Sequence, residues 1–455
     1  MMSQPDVIVI GAGPAGEVCA GQLADEGLEV ALVERDLIGG ECSFWACMPS
    51  KALLRPAELL AEVQRVPGAR EATDDKLDVA AVLARRDEVI HDLDDAGQLP
   101  WLEDRGINLV RGAARLDGAR RVLVGDQVLE ARRAVVIAVG SGAALPPVPG
   151  LAEISPWTNR AATTAKEVPK RLLVLGGGAV GCELAQAWGT LGSEVVLVEA
   201  LPRLLANEEP FASEQLADSL AEHGVDVRTG AKAVAASRDD RGIFTLELEG
   251  GDKLRGNELL VAVGRKPHTS ELGLETVDLK PGATITVDDQ MRVSGHDWLY
   301  AIGDVNGRAL LTHAGKYQAR VAAAVIMNRQ ARAVWDGPLT PRVVFTEPQV
   351  AAVGRTLQTA LAQGIPARAV DAEVGRTAGA SFVGRNAPAS ARLVIDESRR
   401  VIIGATFTGP DMADSLHAAT IAVVGEVPLQ RLIHAMPSFP TRSEVWLTLL
   451  ADWDF

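Results

Sequence analysis

Cys42 and Cys47 stand five residues apart in GGECSFWACMPSK, residues 39–51, with Lys51 close behind. The chain has four cysteines, and the other two are Cys19 and Cys182. They are too few and too scattered for the disulfide framework of a secreted domain. A close pair can cycle between dithiol and disulfide, with the thiolate as the reactive form. It can also be two buried structural thiols. A zinc site would need further cysteine or histidine ligands, and the nearest histidine is His91. The redox reading explains more, because the pair directly follows a nucleotide-binding pattern.

That pattern occurs twice. Residues 6–34 predict a strand (6–10), Gly11-x-Gly13-x-x-Gly16, a helix ending at Gly27, and a strand (29–33) closed by Glu34. Residues 171–199 repeat it with Gly176-x-Gly178-x-x-Gly181, Gly192 and Glu199. Glu34 follows Gly11 by 23 residues, and Glu199 follows Gly176 by the same 23. The first glycine makes a tight turn, the second lets backbone approach a pyrophosphate, and the third lets helix and strand pack closely. The pyrophosphate then rests on a helix N-terminus. The glutamate can accept from a ribose 2′-hydroxyl, so two copies predict two dinucleotides. Glu199 would repel a 2′-phosphate, and Ala200 and Leu201 offer no cation to receive one. NADH is therefore expected over NADPH, with Arg203 the possible exception.

A chain of 455 residues suggests about three domains. The formal net charge of −15 disfavours a nucleic-acid partner. No run approaches the roughly 18 apolar residues of a membrane span, and no targeting segment is apparent, so a cytoplasmic protein is expected. Pro- and Gly-rich joints lie at 141–150, 264–273 and 336–342.

The motifs GAGPAG (11–16), C-x4-C-x-PSK (42–51), GGGAVGCE (176–183), VAVGRKP (261–267), LYAIGDV (299–305), VVFTEPQVAAVG (343–354) and FPTRSE (439–444) occur in this order. Together they resemble the flavoprotein disulfide reductases, the class I pyridine nucleotide-disulfide oxidoreductases of lipoamide dehydrogenase and mercuric reductase type. The resemblance implies an α/β chain with two Rossmann-like domains and a C-terminal α+β dimerisation domain. A split FAD-binding domain would take 1–150 and 270–335, an NAD(P)-binding domain 151–269, and the dimerisation domain 336–455. It implies FAD on Gly11, Gly13, Gly16 and Glu34, with Asp304 at its ribityl and phosphate region. The nicotinamide cofactor would lie on Gly176, Gly178, Gly181, Glu199 and Gly264. Lys51 and Glu183 match the family's pair near the flavin. Electrons would pass from NADH to the flavin and on to Cys47, with Cys42 exchanging with an outside acceptor. A homodimer is implied as well.

Three departures qualify this. The family's C-terminal motif begins with histidine, a proton shuttle oriented by a glutamate. Here Phe439 holds that position, although Pro440, Thr441 and Glu444 match. His434, five residues upstream, is out of register as a substitute. Around the cysteines, Glu41, Phe44, Trp45 and Ala46 replace the usual residues. Phe44 or Trp45, with Phe439 of the partner subunit, would line Cys42 with aromatic surface, unless the rings only fill core. No cysteine follows Cys182, which removes the terminal pair that delivers metal in mercury reduction. The expected activity is electron transfer from NADH through FAD and Cys42–Cys47 to a small, apolar or non-lipoamide acceptor. A quinone or diaphorase-type reductase with auxiliary cysteines, or a flavin-bound redox sensor, are the alternatives.

Overall fold

The computed structural model describes residues 2–74, 76–337, 339–384 and 387–453. Pro338, within the last of the three joints, lies outside them. The chain divides into two compact units. The first comprises residues 1–49, 87–144 and 265–340, and the second 50–86, 145–264 and 341–455.

The first unit is built on a five-stranded parallel sheet ordered Leu299–Ala301, Ala134–Ile137, Val7–Ile10, Val30–Glu34, Asn108–Arg111. Val7 pairs with Val30 and Ile10 with Val33. The strand VIVI is apolar throughout because both faces of a parallel sheet are covered. Val7 and Val9 pack with Leu23 and Ile326, from the helices Pro14–Asp25 and Thr312–Ile326. Ile8 and Ile10 pack on the other side with Leu116 and Val122. Those last residues belong to an accessory sheet containing Gln127–Glu130, Arg121–Val124 and Ala114–Leu116. The two helices meet closely: a Cβ on Gly315 would lie 3.2 Å from the Ala15 Cβ.

In the second unit a parallel sheet runs Asp226–Arg228, Glu194–Val198, Arg171–Leu175, Glu258–Val261. Leu172 and Val174 face Leu184 and Trp188 of the helix Ala179–Thr190, whereas Leu173 and Leu175 face Phe244 and Leu246. The period-2 logic of the first sheet is thus repeated. A separate antiparallel sheet runs Arg342–Val344, Gln349–Gly354, Val401–Gly409, Ser390–Asp396, Ala367–Glu373. The helix Met412–Val424 packs on its central strands. The helix Cys47–Arg65 starts in the first unit, and its residues from Ser50 onward count in the second. Among the described residues no helix is long and apolar enough to cross a membrane.

Candidate active site

The glycines of the first motif take the places their spacing assigns. Gly11 has φ +103°, a left-handed turn open to glycine. A Cβ on Gly16 would fall 1.8 Å from the Gly11 carbonyl oxygen, so no other residue lets this helix approach its strand. Gly13 precedes the helix, with Pro14 in its first turn, and space is open where its Cβ would stand. That gap at a helix N-terminus is a cradle for a pyrophosphate. Glu34 accepts from the Ala12 amide at 2.6 Å and the Asp36 amide at 2.7 Å. The second motif repeats each feature. Gly176 has φ +113°, the Gly181 Cβ would meet the Gly176 carbonyl at 1.8 Å, and Gly178 is open. Glu199 accepts from Gly177 at 2.6 Å and Leu201 at 2.7 Å. Gly264 has φ +147°.

In the first unit Asp304 lies on the one-turn segment Gly303–Asn306, after a strand of the parallel sheet. Its carboxylate accepts from the Ser141 hydroxyl at 2.5 Å and faces Arg265 at 3.5 Å. Arg265 also donates to the Ser141 hydroxyl and carbonyl and reaches Glu41 at 3.9 Å. One guanidinium therefore gathers two carboxylates, one of them beside Cys42.

Cys42 lies on the short helix Gly40–Phe44, and Cys47 opens the helix Cys47–Arg65. Their side chains are in mutual contact. Thr312, the first residue of Thr312–Ile326, brings its hydroxyl 3.5 Å from the Cys47 Sγ and bonds Cys42 as well. The neighbouring Cys47 thiol, then burial, push Cys42 above the ordinary thiol range, while Thr312 and the Lys316 charge pull it down.

Phe44 and Trp45 pack in core. Both rings are buried, in a cluster with Leu37 and Ile90, their centroids 5.7 Å apart. Phe44 follows Cys42 by two residues, and helix positions so spaced do not share a face. Both rings fill core with Leu37 and Ile90.

In the second unit Lys51 Nζ lies 2.8 Å from Glu183 Oε2 and 4.6 Å above the Phe345 ring. Glu183 is buried on the helix Ala179–Thr190 and also accepts from Ser50 and from the Phe345 amide at 2.9 Å. Arg203 is fully engaged: it donates to the carbonyls of Ala206 and Glu208 and to the Ser213 hydroxyl. Phe439 is 78% exposed. Glu444 accepts from the Thr441 amide at 2.9 Å and the Gly379 amide at 3.3 Å, closing a capping box with Thr441. His434 is exposed, just past the turn Leu429–Leu432.

Residues 5–325 match the family model described as pyridine nucleotide-disulphide oxidoreductase. The chain belongs to this family. Residues 340–450 match the family's dimerisation domain. The chain is 31% identical to the dihydrolipoyl dehydrogenase of Chlamydia muridarum over 450 residues, 97% of this chain and 95% of that one. It is 29% identical to the mercuric reductase of Staphylococcus aureus, over 96% of this chain and 80% of the other. The fold matches LpdA from Mycobacterium tuberculosis with TM-score 0.86 at 24% identity, covering all of both chains. It also matches the HOCl-induced flavoprotein disulfide reductase RclA from Escherichia coli, with TM-score 0.85 at 24% identity, over 99% of this chain and all of that one.

As a pyridine nucleotide-disulphide oxidoreductase the protein is an FAD-dependent, NAD(P)H-linked enzyme. The open glycine and the helix start of the first motif leave room for the pyrophosphate of FAD. Thr312, Lys316, Ser141 and Arg265 went unread in the sequence as site residues. Only Arg265 lay within a quoted family motif, and the others carry no local signal.

Proposed function

We propose that the enzyme carries electrons from NADH, through FAD, into the Cys42–Cys47 pair and on to a small-molecule acceptor other than lipoamide. The observation that carries this reading is the contact of Cys42 with Cys47 and of both with Thr312, in the unit that holds the first glycine cradle. Bound FAD supplies two-electron exchange between nicotinamide and sulfur. The chain's own residues do the rest in this reading. Cys47 faces the flavin and Cys42 exchanges with the acceptor. Glu34 and Asp304 orient the cofactor, and Lys51 with Glu183 set charge where the family places that pair. Gly176, Gly178, Gly181, Glu199 and Gly264 take the nicotinamide cofactor. NADH is favoured because Glu199 repels a 2′-phosphate and Arg203 is occupied by its own loop. FAD binding is assigned to 1–150 with 270–335, nicotinamide binding to 151–269 and dimerisation to 336–455. The working form is a homodimer, and the cytoplasm suits its thiols and its NADH.

Phe439 supports a second reading. An aromatic ring cannot exchange a proton, so an acceptor that needs no general base, such as a quinone, is served as well. Glu444, with no imidazole to orient, instead caps its own backbone.

Anaerobic titration with NADH tests the relay. A long-wavelength band from a thiolate beside oxidised flavin is expected after two electrons. Bleaching straight to reduced flavin, with no such band, rejects the relay and leaves the quinone reading. Phe439→His raises disulfide turnover if the base is the only missing part.

A further inference from the structure

We propose that Gln318 is a positioning residue for the flavin: its buried amide fixes the turn Gly303–Asn306, and with it the place of Asp304 against the cofactor. The proposal rests on the reading above, in which Asp304 takes FAD.

Gln318 lies within the helix Thr312–Ile326 and is fully buried. A leucine would fill such a place, whereas an amide there must find partners for both of its ends. It does. Its Oε1 accepts from the Gly303 amide at 2.8 Å and from Asn306 Nδ2 at 2.9 Å, the first and last residues of the turn that carries Asp304. Its Nε2 donates to Asp336 Oδ2 at 3.0 Å. Asn306 extends the network. It donates to the Ala301 carbonyl at 3.1 Å, at the end of the strand Leu299–Ala301, and accepts from the Arg308 amide at 3.0 Å. The Arg308 guanidinium pairs with Asp336 at 2.9 Å. One oxygen thus grips the turn at both ends, and Asp336 with Arg308 closes the ring behind it.

The turn stands where both halves of the site meet. Gly303 has φ +74°, and its Cα would lie 3.3 Å from a Cβ on Gly315. A Cβ on Gly303 itself would lie 3.4 Å from the Ala15 Cβ. Ala15 belongs to the first turn of Pro14–Asp25, the helix that opens at the pyrophosphate cradle. Gly315 belongs to the first turn of Thr312–Ile326, whose Thr312 hydroxyl lies 3.5 Å from the Cys47 Sγ. Gln318 sits three residues beyond Gly315 on that helix. The division of labour is plain. Ser141 and Arg265 aim the Asp304 carboxylate, and Gln318 holds the backbone beneath it.

Two substitutions separate this role from packing. Gln318→Leu keeps the volume and leaves the Gly303 amide without its acceptor. Gln318→Glu keeps the shape and an acceptor, but sets a carboxylate against Asp336, with Arg308 the cation at that contact. Two carboxylates so close cannot both ionise, and a shared proton restores the contact in acid.

The test is FAD release from diluted holoenzyme, followed by flavin fluorescence relative to wild type, beside thermal unfolding of the FAD-free protein. Gln318→Leu should weaken FAD retention about tenfold or more. Val325→Ala, a core residue seven positions further along the same helix, should lower the unfolding temperature and leave FAD release unchanged. Gln318→Glu should retain FAD at about pH 5 and release it progressively toward about pH 8. Wild-type retention in Gln318→Leu overturns the proposal, and so does equal FAD release from Val325→Ala. If Gln318→Leu fails to fold, Gln318→Glu decides: a release profile parallel to wild type across that pH range overturns it. Asp304→Ala keeps the two readings apart. Unchanged retention in Asp304→Ala removes the reading on which the proposal stands. Weakened retention there, with wild-type retention in Gln318→Leu, removes only the role of Gln318.

Discussion

At the scale of single residues, the two sulfurs and one carboxyl carry the sharpest consequences. Cys42 has no duty in the nucleotide cradles, so Cys42→Ser should separate the two acceptor classes. Disulfide turnover is expected to fall by about three orders of magnitude, because the exchanging nucleophile is gone. NADH–quinone turnover should stay within about twofold, and steady-state assays on one preparation read both. Glu17 predicts a pH effect on stability. Its carboxyl is raised from 4.5 to about 7, chiefly by burial. The folded protein therefore binds a proton more tightly than the unfolded chain does. That contribution is complete below about pH 4.5 and is lost as pH rises to about 7. It amounts to about 3 kcal/mol by linkage. Urea unfolding of the FAD-free protein should show stability declining across this window, and Glu17→Gln should flatten the decline. A profile identical in the two proteins would mean that Glu17 does not carry it.

At the scale of elements, the strand–glycine–helix unit is the most constrained part of the chain. A methyl at Gly16 would occupy the Gly11 carbonyl oxygen, 1.8 Å away. Backbone cannot yield as a side-chain tip does, so Gly16→Ala should cost about 3 kcal/mol or more and abolish FAD retention. Gly13→Ala meets open space in the protein and should fold normally while losing FAD, because the methyl occupies the pyrophosphate's place. Flavin absorbance and thermal unfolding of both variants check the pair. These units were legible in the sequence because glycine and apolar strand residues state their needs locally. The expected strand 6–10 is observed as Val7–Ile10, and the equal spacing of Glu34 and Glu199 reappears as equal bonding to their own loops. What stayed hidden depends on distant partners. Two adjacent aromatics beside a cysteine do not reveal which way they turn, and Ile90 and Leu37 settled it. Thr312 reaches Cys47 across 265 residues of sequence, with no motif to announce it. Ser141 and Arg265 likewise meet Asp304 only through the fold.

At the scale of the whole molecule, charge and apolar surface pull in opposite directions. Each chain carries a formal net charge of −15, so two copies repel at long range. The dimerisation domain must offset this with apolar contact. On the helix Met412–Val424, Met412, Leu416, Ala419 and Val423 turn inward to the sheet, and Ile421 and Val424 lie exposed, three residues apart. Leu447, Met436 and Phe439 are further exposed apolar residues of the same domain. A surface of this kind is what a second copy would cover. Ile421→Arg should therefore yield monomers in sedimentation velocity while leaving the flavin spectrum intact, because the residue touches neither glycine motif. Added salt should tighten the wild-type dimer, since screening removes repulsion and leaves apolar contact. If Phe439 lines the partner's Cys42, as the family resemblance implies, the monomer should change its preference among disulfide acceptors. Unchanged disulfide kinetics in a proven monomer would show that the ring has no part across the interface, and the search for what sets acceptor choice would return to Glu41 and Thr312 on the chain's own side.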